Sequence, residues 1–208
     1  MQLHNAPRDL LILFGGGWGN FGIDLKTYLE VCRELRVDTL TLSDPNFNWY
    51  HYGVSEELNT VSKSIAGIKE IADKYTRVFT TGLSIGGYAA VWYGTLLNCD
   101  TILSFGPQTS IDPLLAHPKA YPYLQGCYER LQGKGVDLRE HLQSTPYTSK
   151  IILVAGSEHE SDCRWCDRLS GLNNVDQVRL PTHKHNLPEY LYNSGELVSF
   201  MREKLLLP

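Results

Sequence analysis

The sequence predicts an α/β protein, in which about six mainly parallel strands form one sheet with helices on both faces and a small insertion at one edge. Three observations carry this expectation. Short apolar runs alternate with amphipathic stretches along nearly the whole chain, the pattern of repeated strand–helix–strand units. A length of 208 residues suffices for one well-buried core and is short for two, so residues 1–208 form a single domain. A Gly-x-Ser-x-Gly, Gly82-Leu83-Ser84-Ile85-Gly86, stands between one strand-like run and one helix-like run.

Taken in order, the strand-like runs are 9–14, 37–42, 77–81, 101–105, 151–155 and 175–180. Helical patterns fall at 25–35, 56–74, 88–97, 162–172 and 190–206. In 56–74, Leu58, Val61, Ile65, Ile68 and Ile71 recur at three- and four-residue steps, which lines up one apolar face. No internal repeat interrupts the alternation, but residues 107–149 carry no clear strand. A connection of that length is functional or has structure of its own. It leaves a strand's carboxyl end, where open α/β sheets bind ligands. Residues 107–149 are therefore read either as a lid insertion or as a pair of covering helices.

Composition excludes several function classes. The chain is 42% hydrophobic and 20% charged with a net charge of −4, which offers neither a basic nucleic-acid footprint nor a polybasic membrane patch. The apolar stretch 10–14 is too short to span a bilayer. A soluble, cytoplasmic protein is expected. Five cysteines form an odd set, which argues against a disulfide framework. Cys163-Arg-Trp-Cys166 lacks a second pair at zinc-site spacing, and even with His159 or His183 nearby no metal or other cofactor is expected.

The chemistry is concentrated around Ser84. Between a strand and a helix, Gly-x-Ser-x-Gly forms a nucleophile elbow, a strained turn that lifts the serine hydroxyl clear of the backbone. Glycine is needed on both sides because a Cβ two residues before or after the serine would collide across so tight a turn. A serine nucleophile needs a base held by a third group. The loop after the last strand offers His183 and His185, and His185 is preferred because it lies immediately before the C-terminal helix. For the acid, the loop after 151–155 carries Glu158, Glu160 and Asp162, and Asp112 follows the preceding strand. Asp162 is preferred, then Glu160, then Asp112, although Asp162 is also placed to cap the following helix. His4, His51, His117 and His141 are read as solvated bystanders.

A developing oxyanion needs preorganised donors. The amide of Ile85 supplies one, and the loop Gly15-Gly-Gly-Trp-Gly19 after the first strand supplies others, at Gly17 and Trp18. That loop matches neither phosphate-loop nor dinucleotide-binding spacing. The segment running from Asp44 to Tyr52 should reach the same edge after the second strand. Its aromatics, Trp49 and Tyr50 above all, are candidates to stack on a sugar or enclose an acyl group, and Gln108 is a third substrate contact. An ordinary packed loop is the alternative.

Together the elbow, the glycine loop and the Ser…Asp…His order resemble the α/β-hydrolase superfamily over essentially the whole chain. The resemblance implies that the six runs are the inner six of that fold's usual eight strands. More narrowly, Thr81-Gly-Leu-Ser-Ile-Gly-Gly-Tyr-Ala-Ala90, Phe105-Gly-Pro-Gln-Thr109 and Asp44…Trp49-Tyr50…Gly53 are similar to small bacterial hydrolases associated with surface-polysaccharide gene clusters. In that group an aspartate about six residues past the strand glycine and a His-Asn pair after the last strand recur, which implies Asp162 and His185-Asn186. One departure is that aliphatic Leu83 and Ile85 flank the serine and indicate neither a lipase nor a peptidase type.

The expected activity is ester hydrolysis through a Ser84–His185–Asp162 acyl-enzyme mechanism, on an acetyl or other acyl ester of a glycan or small molecule. Alternatives are a non-catalytic binding or accessory module on the same fold, or an acyltransferase, thioesterase or carbon–carbon bond hydrolase with the same triad.

Overall fold

The computed structural model describes residues 9–44, 46–115 and 121–207. Six strands form one sheet: β1 (Asp9–Phe14), β2 (Asp38–Leu42), β3 (Arg77–Leu83), β4 (Thr101–Phe105), β5 (Lys150–Gly156) and β6 (Val175–Leu180). Their spatial order is β2-β1-β3-β4-β5-β6 and every neighbouring pair is parallel. The central strands are apolar on both faces because both faces are covered. Leu10, Ile12 and Phe14 point into one core, while Leu11 and Leu13 point into the other.

Helices α1 (Leu25–Leu35), α7 (Leu187–Asn193) and α8 (Leu197–Lys204) cover the Leu11/Leu13 face through Tyr28, Val31, Leu191 and Met201. Helices α2 (Val61–Ala72), α3 (Ile85–Leu96), α5 (Leu138–Ser144) and α6 (Glu160–Asp167) cover the other through Ile68, Ala89, Tyr93, Leu142 and Trp165. The remaining helix, α4 (Tyr121–Arg130), lies in the 107–149 segment. Register brings the strand ends level: Phe14 pairs with Gly82, Leu83 with Phe105, Phe105 with Val154, and Gly156 with Leu180. Phe14 also pairs with Leu42, so six loops leave the sheet on one edge.

Three helices depart from the sequence expectation. α2 begins at Val61 rather than at 56, because Thr60 caps it by accepting the Lys63 amide at 3.2 Å. The residues before it are held in a turn, where Ser55 Oγ accepts the Leu58 amide and Ser64 Oγ donates to the Leu58 carbonyl. α6 ends at Asp167 rather than reaching 172. The stretch 190–206 is two helices, parted at Gly195, whose φ of 75° lies in the left-handed region where a helix cannot continue.

The 107–149 segment is tied to the body at several points. Asp137 pairs with Arg168 at 2.6 Å, the Leu138 amide donates to Thr109, and Leu138 and Leu142 are buried in the core. Its later half is thus a covering helix. All five cysteines are free thiols, and burial pushes Cys32, Cys99 and Cys166 up to about 12 and Cys127 to about 11. Among the described residues, no helix is long and apolar enough to cross a membrane.

Candidate active site

The chain leaves β1 for one edge of the sheet and returns to β3 on the other side of β1, so the strand order reverses there. Loops on either side of such a reversal diverge and open a crevice at the strand ends. The glycine loop after β1 and the serine turn after β3 stand at that reversal. Ser84 has φ 59° and ψ −116°, a conformation that costs a non-glycine residue about 1–3 kcal/mol. Its amide donates to the Phe105 carbonyl at 2.9 Å, which fixes the turn to β4.

The steric need for glycine holds at both positions, across the turn itself at Gly82 and against the neighbouring strand at Gly86. A Cβ on Gly82 would come within 2.3 Å of the Gly86 carbonyl, and one on Gly86 within 2.1 Å of the Phe14 carbonyl. A Cβ on Gly16 would meet the Leu83 carbonyl at 2.6 Å. Glycine loop and serine turn are therefore packed backbone against backbone, and neither moves without the other.

His185 and Asp162 are brought together. His185 Nδ1 lies 2.8 Å from one Asp162 carboxylate oxygen and 3.0 Å from the other. An ionised carboxylate can only accept, so Nδ1 carries the proton and Nε2 of a neutral ring is left as acceptor. Asp162 is buried, at 3% exposure. Gly106, at the end of β4, packs against the pair: a Cβ there would meet the Asp162 carboxylate at 2.8 Å and the His185 ring at 3.1 Å. Phe105 thus anchors Ser84 through its carbonyl, and its neighbour Gly106 abuts the His–Asp pair. The Ser84 hydroxyl makes no hydrogen bond to His185, a gap common before a substrate is bound.

The rival residues are placed elsewhere. His183 is exposed, as are Glu158 and Glu160. Asp112 turns back on its own loop, accepting the Leu114 amide at 2.9 Å. Asp162 does not cap α6 but lies in its first turn; His159 is the cap, its Nδ1 accepting the Asp162 amide at 3.2 Å. His159 is the residue that sequence reasoning missed in this role. Its Nδ1 also stands 3.2 Å from the carboxylate, and its ring is 5.5 Å from that of His185. His159, Asp162 and His185 present ligand atoms within 4.8 Å of one another, a donor set that suits zinc or iron, but hydrogen bonds already engage those atoms. Asn186 fixes the loop from behind, capping α7 at Glu189 and donating to the Gly22 carbonyl at 2.6 Å.

The glycine loop supplies unoccupied donors. The amides of Gly15, Gly16, Gly19 and Asn20 are engaged in backbone bonds, whereas those of Gly17, Trp18 and Ile85 have no partner among the described residues. The loop owes its shape partly to Trp18, which adopts φ 62° and ψ 26°.

Two expected substrate contacts are corrected. Trp49 and Tyr50 are both fully buried, so neither ring faces a ligand. Tyr50 instead donates its hydroxyl to the Gly15 carbonyl, and its own carbonyl accepts from Tyr93. The Asp44 carboxylate gathers the segment by accepting the amides of Asn46, Asn48 and Tyr50, which turns this loop inward. Gln108 is half-buried just beyond Gly106. His51 and His141 are not bystanders. His51 Nε2 accepts the Val136 amide at 2.9 Å, and His141 Nε2 lies 2.9 Å from Thr95 Oγ1. His4 and His117 lie outside the described residues.

No family model matches the chain, and no curated protein does. Solved structures do. Est1E from Butyrivibrio proteoclasticus is 17% identical, with a TM-score of 0.60 over 99% of this chain and 92% of that one. A lipase-esterase related protein from Clostridium acetobutylicum is 14% identical, with a TM-score of 0.62 over 96% and 95%. An α/β serine hydrolase without lid from Xanthomonas campestris is 13% identical, with a TM-score of 0.56 over 100% and 86%. Six parallel strands in this order, the serine turn after β3 and the likeness over the full chain lead to one conclusion: the protein has the α/β-hydrolase fold.

Proposed function

We propose that the protein is a serine hydrolase that cleaves a carboxylic ester, an acetyl or other acyl group carried by a glycan or a small molecule. The observation that carries this reading is the convergence at the β4 end. The strained Ser84 turn is tied to Phe105, and the next residue, Gly106, abuts a buried Asp162–His185 pair. The similar structures include a lipase-esterase related protein and a serine hydrolase, which supports an ester as the scissile group.

In this reading Ser84 Oγ attacks the acyl carbon while His185 Nε2 takes its proton. Asp162 holds the Nδ1 proton and stabilises the imidazolium. The amides of Gly17, Trp18 and Ile85 receive the oxyanion, a role in which loss of a single donor costs about 3 kcal/mol of transition-state stabilisation. His185 returns the proton to the departing alcohol, and water then releases the acyl group by the same steps. Because α5 is locked to the core, a lid role within 107–149 is confined to the part around α4. Five free thiols agree with a reducing compartment.

The test is labelling and turnover. A fluorophosphonate should modify Ser84 and stop p-nitrophenyl acetate hydrolysis, and Ser84→Ala and His185→Ala should each abolish turnover in folded protein. An unlabelled Ser84 in folded protein would mark a binding module instead.

A further inference from the structure

Of the four tryptophans in the chain, three are buried: Trp49 at 0%, Trp92 at 6% and Trp165 at 4% exposure. Trp18 is 90% exposed. It stands in the glycine loop next to Gly17, and its φ of 62° is a conformation bulky residues rarely adopt. Leaving the largest apolar side chain in water on a strained backbone does nothing for folding. The ring is nevertheless supported from below. It lies against Phe47, with centroids 5.2 Å apart at 31°, and Phe47 in turn meets buried Trp49 edge-on at 5.6 Å. The backbone under Phe47 is held as well, since Arg130 donates to the Phe47 carbonyl at 2.9 Å and to Asn48 Oδ1 at 2.8 Å. The result is a tier of three aromatic rings, buried at its base and bare at its top.

We propose that Trp18, backed by Phe47, is the platform on which the sugar ring of an acylated pyranose stacks, so that the alcohol portion of the substrate is a carbohydrate. This rests on the serine-hydrolase reading, because the unoccupied amides of Gly17 and Trp18 place the ester carbonyl beside the ring. One-sidedness selects the ligand. An aryl group or acyl chain gains most where apolar walls enclose both of its faces. A pyranose has an apolar C–H face for the indole and hydroxyls that stay hydrated, which fits a single bare ring. The exposed residues Asn20 and Asn46, two positions from Trp18 and one from Phe47, offer amide groups to such hydroxyls, Asn20 through its NH2 because its Oδ1 accepts the Gly22 amide at 2.7 Å, and no net charge is called for. The aromatic segment around Trp49 thus supports the stacking surface instead of forming it.

The experiment exploits Trp18 as the one exposed tryptophan. Acrylamide quenching of the Ser84→Ala protein should be reduced, dose-dependently, by acetylated methyl pyranosides of gluco, galacto, manno and xylo configuration. Hexyl acetate should have no such effect at equal concentration. In the active protein, Trp18→Leu, which keeps an unbranched Cβ and the same backbone demand, should lower kcat/KM for the protecting sugar ester about tenfold more than for ethyl acetate, mainly through KM. The proposal is overturned if no pyranoside of the panel protects Trp18. It is equally overturned if phenyl acetate protects better than every sugar, or if Trp18→Leu slows both substrates equally. Protection without fluorophosphonate labelling of Ser84 would leave the platform standing and remove the hydrolase. Labelling without protection would do the reverse.

Discussion

The hydroxyl of Tyr50 donates a 2.6 Å hydrogen bond to the carbonyl of Gly15, 35 residues earlier in the chain. Both groups are buried, and the bond holds the start of the glycine loop while Gly15 N–H is held by Leu42. A ring read from sequence as a substrate contact is in fact a strut beneath the candidate oxyanion loop. Tyr50→Phe keeps the packing but strands the Gly15 carbonyl, which should lower stability by about 1–3 kcal/mol. Urea unfolding measures that loss, and ester turnover should fall with it because the loop amides lose their fixed positions. Wild-type stability and rate in Tyr50→Phe would show that the strut is dispensable.

Gly106 and Gly171 both have positive φ, 49° and 77°, but only Gly106 touches anything a Cβ would displace. Gly106→Ala should push the Asp162–His185 pair apart and reduce kcat by about 10²-fold, the scale of a misplacement of roughly 1 Å. Gly171→Ala has open space and should show only the modest stability loss of a strained backbone, with kcat unchanged. Comparing kcat with unfolding midpoints in the two variants separates displacement from strain. Equal kcat values in the two would argue against the contact.

Asp162→Asn should reduce kcat by about 10³–10⁴-fold, since an amide can hold the imidazole in the wrong tautomer. Glu160 is exposed and Asp112 is spent on its own loop, so Glu160→Gln and Asp112→Asn should turn over p-nitrophenyl acetate at near wild-type rates. Steady-state kinetics on the three variants decides the acid. A dead Asp112→Asn beside an active Asp162→Asn would move the assignment to the β4 loop.

Burial lowers the pKa of both His51 and His141 from the ordinary 6.5. The unfolded chain therefore takes up these protons at a higher pH than the folded one does. Stability from this source is complete above about pH 6.5 and is lost as the pH falls below it. Protonated His51 would also cease to accept the Val136 amide, loosening the link to α5. Melting temperature should drop between pH 7 and pH 5, and the double variant His51→Gln/His141→Gln should flatten that slope. A Tm that is constant or rising toward pH 5 would contradict it.

Much of this architecture is written locally. Strands buried on both faces must be apolar at every position, which is why 9–14, 101–105 and 151–155 stand out against the helices between them. The serine turn is legible for a similar reason at Gly82, which answers Gly86 four residues on, whereas Gly86 answers the Phe14 carbonyl on the neighbouring strand. Where signals were misread, the deciding partner was remote, or was a local cap as at Thr60 and His159, or was a single backbone angle, as at Gly195, where one positive φ divides an amphipathic run into α7 and α8.

By itself, then, the sequence determined the class of fold, the position of the serine turn, the glycine loop before it and the stretch in which the imidazole would lie. Tertiary structure alone decided which of four carboxylates meets His185, and that Trp49 and Tyr50 are inside while Trp18 is outside. The physical reason is range. Periodicity and turn chemistry depend on neighbours within about a helical turn, whereas burial and pairing depend on groups such as Gly15, Tyr93 and Arg130 that only folding brings within reach.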